Sequence, residues 1–165
     1  MNSEQIEQSV RSALESLGVD YEILPCDPAL ADTAAFCQHY GIPPSHSANA
    51  ILVASKKEPK QYAVCLALAT TQLDVNHAVR ELMDGKKLSF AAAEETQDLT
   101  GMMVGGVTPF GLPENLPIFI DSRVMEPDYV VVGGGSRSSK IKIAPEALKR
   151  IATARVIENL AREKK

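Results

Sequence analysis

Residues 101–117, GMMVGGVTPFGLPENLP, hold four glycines and three prolines, and no regular element can run through them. Glycine opens backbone conformations closed to other residues, while proline removes the amide hydrogen that a helix or a central strand would need. The stretch must be a shaped loop. Glycines also let backbone approach a ligand closely, and prolines keep the remaining amide hydrogens aimed at one point. Gly105–Pro113 is therefore the foremost candidate site, with a rigid connector as the alternative.

Around this loop the chain is punctuated into short elements. Ile6, Val10, Ala13, Leu14 and Leu17 recur at three-and-four spacing and stop at Gly18, which predicts an opening amphipathic helix. A strand follows over Val19–Leu24, then a short helix capped at Asp32 or Thr33 and ended by Gly41. Two apolar runs, one from Ala48 to Ser55 and one from Tyr62, flank a polar turn. Leu73–Met83 has helical periodicity, Leu88–Ala92 is a short strand and Glu94–Leu99 another helix. After the loop, Ile118–Ile120, Tyr129–Val132 and Ile141–Ile143 are strands, and a last helix is expected from Pro145 to about Arg162. Strands and helices intersperse without strict alternation, which predicts an α+β (mixed α/β) domain over a doubly wound parallel one.

With 165 residues, 45% of them hydrophobic and 23% charged, the chain is long enough for one core without disulfides or a structural metal. No apolar stretch nears the ~20 residues of a membrane span. The start, MNSEQIEQSV, carries acids and amides where a signal peptide would be basic then apolar, so a cytoplasmic protein is expected. Cys26, Cys37 and Cys65 form no CxxC pair and read as reduced thiols.

The specific chemical motifs fail. Gly133-Gly134-Gly135 after a strand invites an anion-binding reading, helped by Arg137 and Lys140, but neither a dinucleotide fingerprint nor a Walker sequence is completed. A tight turn explains the glycines as well. His39, His46 and His77 have no zinc spacing, and Cys37 and His39, two apart on a helix, diverge. No GxSxG elbow is present, and neither metal nor cofactor is expected.

Five segments together carry a recognisable pattern: ADTAAFCQHYGI (31–42), SANAILVAS (47–55), LDVNHAVREL (73–82), EETQDLTGMMVGGVTPFGLPENLPIFID (94–121) and YVVVGGGSRSSKIKIAPEAL (129–148). This order resembles the YbaK/ProX family of aminoacyl-tRNA deacylases, which includes the editing domain of bacterial prolyl-tRNA synthetases. Its most specific parts are LTG followed by GGVTPFG and the glycine turn after an apolar strand. The resemblance implies a curved mixed β-sheet flanked by helices, and hydrolysis of the ester joining a small amino acid to the terminal ribose of a mischarged tRNA. It also implies that a GxxxP loop, here Gly105, Gly106, Val107, Thr108 and Pro109, walls the amino-acid pocket. Phe110 and Gly111 continue that wall, and Gly133, Gly134, Gly135 and Ser136 are expected beside it. Backbone amides would hold the ester carbonyl and a substrate hydroxyl would assist water, so no metal or Ser/His/Asp set is implied. Family members usually carry a lysine in the strand aligned with SANAILV; here that position is Asn49, which can hydrogen-bond but cannot pair a charge. A noncatalytic aminoacyl-tRNA binder is the competing class. Asp121 is a second candidate for the pocket rim, or a turn residue.

The net charge of −4 conceals an asymmetry. Residues 137–165 hold nine Lys or Arg against three Glu, a net of +6, which leaves −10 for the rest. The basic end begins at Arg137 and Lys140, where an acceptor end of tRNA would arrive. The expected partners are aminoacyl-tRNA and an aminoacyl-tRNA synthetase; the expected organisation is one domain, monomeric or homodimeric, with 152–165 as a helical extension.

Overall fold

In the computed structural model, which describes residues 2–164, the segment Tyr62–Leu68 is the strand around which everything else is layered. Val64, Leu66 and Leu68 point to one face and Ala63, Cys65 and Ala67 to the other, and all six are buried. A strand with both faces covered has no use for polar alternation, which is why the run is apolar throughout.

This strand, β3, lies in a five-stranded mixed sheet of order β5-β2-β3-β6-β9. Here β2 is Ala48–Ser55, β5 Leu88–Phe90, β6 Ile118–Asp121 and β9 Ala154–Ile157. The pairings β5/β2 and β2/β3 are antiparallel; β3/β6 and β6/β9 are parallel. A second, antiparallel sheet joins β1 (Tyr21–Pro25), β8 (Ser139–Ile143) and β7 (Val130–Gly133). A parallel bridge between Ser47 and Val131 links the two sheets at the head of β2.

Helix α1 (Ser3–Leu17) lies across the junction. Asn2 and Gln5 form a capping box at its start, Gly18 closes it at φ 68°, and Ile6, Val10 and Leu14 face inward. Those three share one core with Leu52, Leu66, Ile118 and Ile120 of the large sheet and Val130, Val132, Ile141 and Ile143 of the small one. The opposite face of the large sheet is covered by β4 (Thr71–Leu73), a wide helical turn Val75–Val79 running into α3 (Arg80–Leu82), and β10 (Ala161–Glu163). Helix α4 (Ala93–Thr100) leads into the glycine and proline loop. Helix α2 (Thr33–Tyr40) packs Phe36 and Cys37 against Val131 of β7 in a separate small cluster.

The α+β class, the mixed sheet and most elements agree with expectation. The C-terminal helix does not exist. Pro145–Arg150 makes only a 3-10 helix, and the chain then runs as β9 and β10, so the supposed helical extension over 152–165 is strand over most of its described length. The reason is non-local: β6 presents an unpaired parallel edge, and Thr153, Val156 and Ile157 suit it better than a helix. β10 pairs with β4, which likewise removes Leu73 from the helix expected over Leu73–Met83. No helix among the described residues is long and apolar enough to cross a membrane.

Candidate functional site

A half-open cavity of about 240 Å³ lies where the sheets meet, between β2, β7, the start of α2 and loop 104–107. At about 30 Å³ per water-sized group, it has room for a group of roughly eight non-hydrogen atoms. Gly105, Val107 and Gly133 form backbone-rich walls, Asn49 stands on one side, and Lys140 closes the floor near Phe36.

Each polar group is fixed by a different element. Asn49 is the second residue of β2; its Oδ1 accepts a 2.6 Å hydrogen bond from Thr33 Oγ1 at the start of α2. The Asn49 Nδ2 hydrogens have no partner among the described residues. Lys140, from β8, is 7% exposed, and its ammonium donates to Ala31 O at 2.8 Å and to Gly105 O at 2.6 Å. Its Nζ also lies 5.4 Å from the centre of the Phe36 ring. Arg137 ties the same two segments further out, with Nε donating to Pro28 O and Nη1 to Val104 O and Asp32 Oδ1. Burial lowers the Lys140 pKa below its ordinary value, and burial raises those of the nearby thiols Cys26 and Cys37.

The glycines turn out to serve each other. A Cβ on Gly106 would overlap the Ser136 carbonyl, and one on Gly133 would overlap the Val107 carbonyl. Gly135 N donates to Gly106 O at 2.6 Å, so this amide of the triple glycine is not aimed at a ligand. Gly134 packs on Ser139 and Gly135 on Ile6 of α1, so the turn is also the seat on which loop 105–107 rests. Gly105 at φ 91° and Gly135 at φ 97° also need a left-handed backbone, and Arg137 lies against Gly105.

The expected site residues therefore divide. Asn49, Gly105, Val107, Gly133 and Lys140 line the cavity, and Gly106 holds its wall in place. Thr108 is fully buried, with its hydroxyl unpartnered among the described residues. Pro109, Phe110 and Gly111 face a different, more apolar cavity of about 560 Å³ beside Leu17 and Ile151. Ser136 is buried, with its hydroxyl donating to Glu7 of α1. Asp121 is buried at the end of β6, where its carboxylate accepts from Ala161 N and Arg123 N; it is a structural cap and not part of the rim. Arg137 and Lys140, expected to meet tRNA phosphates, are turned onto backbone carbonyls. Sequence reasoning missed Asp32 and Thr33 as lining residues because they looked like ordinary helix caps, and no sequence signal joined Thr33 to Asn49.

Among the described residues no three His, Cys, Asp or Glu side chains come together as a metal site. His46 stacks on Tyr129 and bonds its carbonyl, and His77 meets Asp74; neither histidine lines the cavity. What the arrangement offers a ligand is backbone walls, the Asn49 amide, the Thr33 and Ser47 hydroxyls, the Asp32 carboxylate and the buried Lys140 cation.

A small α+β domain with a cavity walled by two mated glycine segments is the class that fold and site define. Residues 27–151 match the family model described as the aminoacyl-tRNA editing domain, and the chain belongs to that family. Among curated proteins it is 24% identical over 149 residues to the uncharacterized protein YwhH of Bacillus subtilis, covering 90% of this chain and 92% of that one. It is also 24% identical over 78 residues to an Enterococcus faecalis protein provisionally named Cys-tRNA(Pro)/Cys-tRNA(Cys) deacylase EbsC, where the match spans 48% of that relative. Two solved structures share the fold. The hypothetical protein APE2540 superposes with a TM-score of 0.82 at 24% identity, covering 93% of this chain and 99% of that one. A protein provisionally described as a trans-editing enzyme for prolyl-tRNA synthetase gives 0.81 at 22%, covering 99% of each chain.

Proposed function

We propose that this protein is a trans-acting deacylase that hydrolyses the ester between a small amino acid and the terminal ribose of a mischarged tRNA, with tRNA-Pro the first candidate. The observation that carries this reading is the 240 Å³ cavity walled by backbone from Gly105–Val107 and Gly133 in a chain of the editing-domain family. A cavity of that size takes an aminoacyl group of the alanine, cysteine or proline class and excludes large side chains by volume. Water adds to the ester carbonyl carbon, the bond from that carbon to the ribose oxygen breaks, and the ribose oxygen takes up the proton. Fixed polar groups around the carbonyl oxygen stabilise the charge that develops on it. A ribose hydroxyl of the substrate assists the water, since Asp32, the one carboxylate lining the cavity among the described residues, is engaged by Arg137. The protein works on the acceptor end in the cytoplasm, beside a synthetase that makes the error.

The experiment is release of amino acid from tRNA-Pro mischarged with alanine, cysteine or serine. A rate well above spontaneous hydrolysis for at least one small amino acid is expected. Binding of all three without acceleration would instead establish the noncatalytic reading, which the asparagine at position 49 favours.

A further inference from the structure

The cavity contains one buried positive charge, and its hydrogen bonds leave part of it unused. An ammonium carries three N–H donors. Lys140 commits one to Ala31 O at 2.8 Å and one to Gly105 O at 2.6 Å, yet the residue still lines open cavity. The two carbonyls belong to opposite walls, the segment before α2 and the glycine loop, so the ammonium is held from both sides and cannot swing out to solvent. Gly105 O accepts from it at a peptide whose own backbone needs a positive φ, which leaves that carbonyl little freedom to turn away.

The geometry points to Lys140 as a substrate-contacting residue of the deacylase reaction: two of its hydrogens brace the cavity walls and the third donates to the carbonyl oxygen of the bound aminoacyl ester. This rests on the deacylase reading above and adds to it the residue that polarises the ester. The same ammonium meets the oxyanion once water has added, and its charge then opposes a full negative charge in a site shielded from solvent. Asn49, with its Oδ1 engaged by Thr33, is left to donate through Nδ2 from the other side.

Protonation separates this role from a purely structural one. A neutral amine has two N–H donors and can keep both wall carbonyls, but it has no third hydrogen for substrate. Burial lowers the Lys140 pKa from the ordinary 10.5, and Arg137 lowers it further, while Asp32, Cys26 and Cys37 oppose this. Those four are the charged or titratable groups that face it, and burial raises the pKa of both thiols.

The test uses the full-length protein, an amide-linked alanyl-adenosine that cannot be hydrolysed, and alanyl-tRNA-Pro. Lys140→Met, which keeps the stem over Phe36, is expected to lose about 10- to 100-fold in kcat/KM and in affinity for the analogue, the range for one charge-assisted hydrogen bond. In the wild type, analogue affinity is expected to fall as pH rises toward 10.5 while amide-exchange protection of 103–106, corrected for intrinsic rates, stays constant. Lys140→Arg, whose charge persists over that range, is expected to flatten the pH profile. Equal affinity in wild type and Lys140→Met, or a wild-type profile that is level to pH 10.5, overturns the assignment of Lys140 alone. A protein that neither binds the analogue nor releases alanine overturns both the assignment and the deacylase reading.

Discussion

Gly106 and Gly41 show that glycines in one chain are present for different reasons. At Gly41 the backbone has φ 71° and open space around it, so an alanine costs only the left-handed conformation, about 1 kcal/mol. At Gly106 the φ is ordinary, but a Cβ would strike the Ser136 carbonyl, and backbone cannot be pushed aside as a flexible side chain can. Gly106→Ala is expected to cost about 3 kcal/mol, near the upper end for overpacking, and to lower the melting temperature by about 10 °C. Gly41→Ala should lower it by about 3 °C. Thermal unfolding followed by circular dichroism compares them directly, and equal shifts would mean that the two glycine segments are not mated as described. Asn49 carries the opposite kind of prediction, because it is only partly buried and its neighbours are in water's reach. Asn49→Ala should reduce deacylation kcat/KM about tenfold while unfolding free energy changes by less than about 1 kcal/mol. The sequence singled out the glycine loop and Asn49 as site candidates, and Gly105, Val107 and Asn49 line one cavity. It could not show that the triple glycine seats that loop, because the overlap is between backbone segments far apart in sequence, such as Val107 and Gly133.

At the scale of elements, the legible ones were those whose pattern is local. Helix α1 has a capping box, a three-and-four apolar stripe and a closing glycine, all within seventeen residues, and it formed as read. β3 and β7 are apolar runs that no other element could absorb. The C-terminus was misread because its conformation depends on edges that lie far away in sequence: β9 on β6, and β10 on β4. Asp121 belongs to this part of the story. It ends β6, its Oδ1 accepts from Ala161 N at 3.1 Å at the head of β10, and Arg123 Nη1 lies 3.6 Å from Oδ2. Removing the carboxylate leaves a buried amide unpaired and a guanidinium without its partner, although Arg123 keeps its bond to Ala161 O. Asp121→Ala is therefore expected to destabilise the fold by about 2–4 kcal/mol. Hydrogen exchange at residues 161–163 should accelerate first, and kcat/KM at a temperature where the variant is folded should stay within about twofold of wild type. A large loss of activity with unchanged exchange would return Asp121 to the pocket rim.

At the scale of the whole molecule, the charge asymmetry was plain in the sequence, but its use was not. Of the cations after residue 136, Arg137 and Lys140 hold the cavity together and Arg150 donates to Leu17 O and Gly18 O. Lys142 lies over Tyr129 at 4.4 Å, and Lys149 pairs with Glu146. Arg155 lies over Phe119, Arg162 is exposed, and Lys164 lines a second cavity that shares Thr33 and Asn49 with the first. With so few cations turned outward, log affinity for aminoacyl-tRNA should fall against log salt with a slope of about −2 or shallower, equivalent to two or three phosphates. A slope near −6 would require a phosphate-binding face that this charge distribution does not provide. Alkaline stability tests the core in the same global way. Cys65 sits at the centre of β3 with both faces covered, and burial pushes its thiol up to about 12. The unfolded chain releases that proton near ~8.5, so the folded state holds more protons above this value. The stability contributed by keeping the thiol neutral is complete below about pH 8.5 and is lost as pH climbs toward 12. Lys140 works in the other direction: its lowered pKa penalises the folded state at neutral pH and relieves it as the lysine discharges. Urea unfolding at pH 7, 9 and 10.5 should therefore show stability falling at the alkaline end, less steeply in Cys65→Ala and more steeply in Lys140→Met. Identical slopes in all three proteins would mean that neither group is held in the core as its surroundings require.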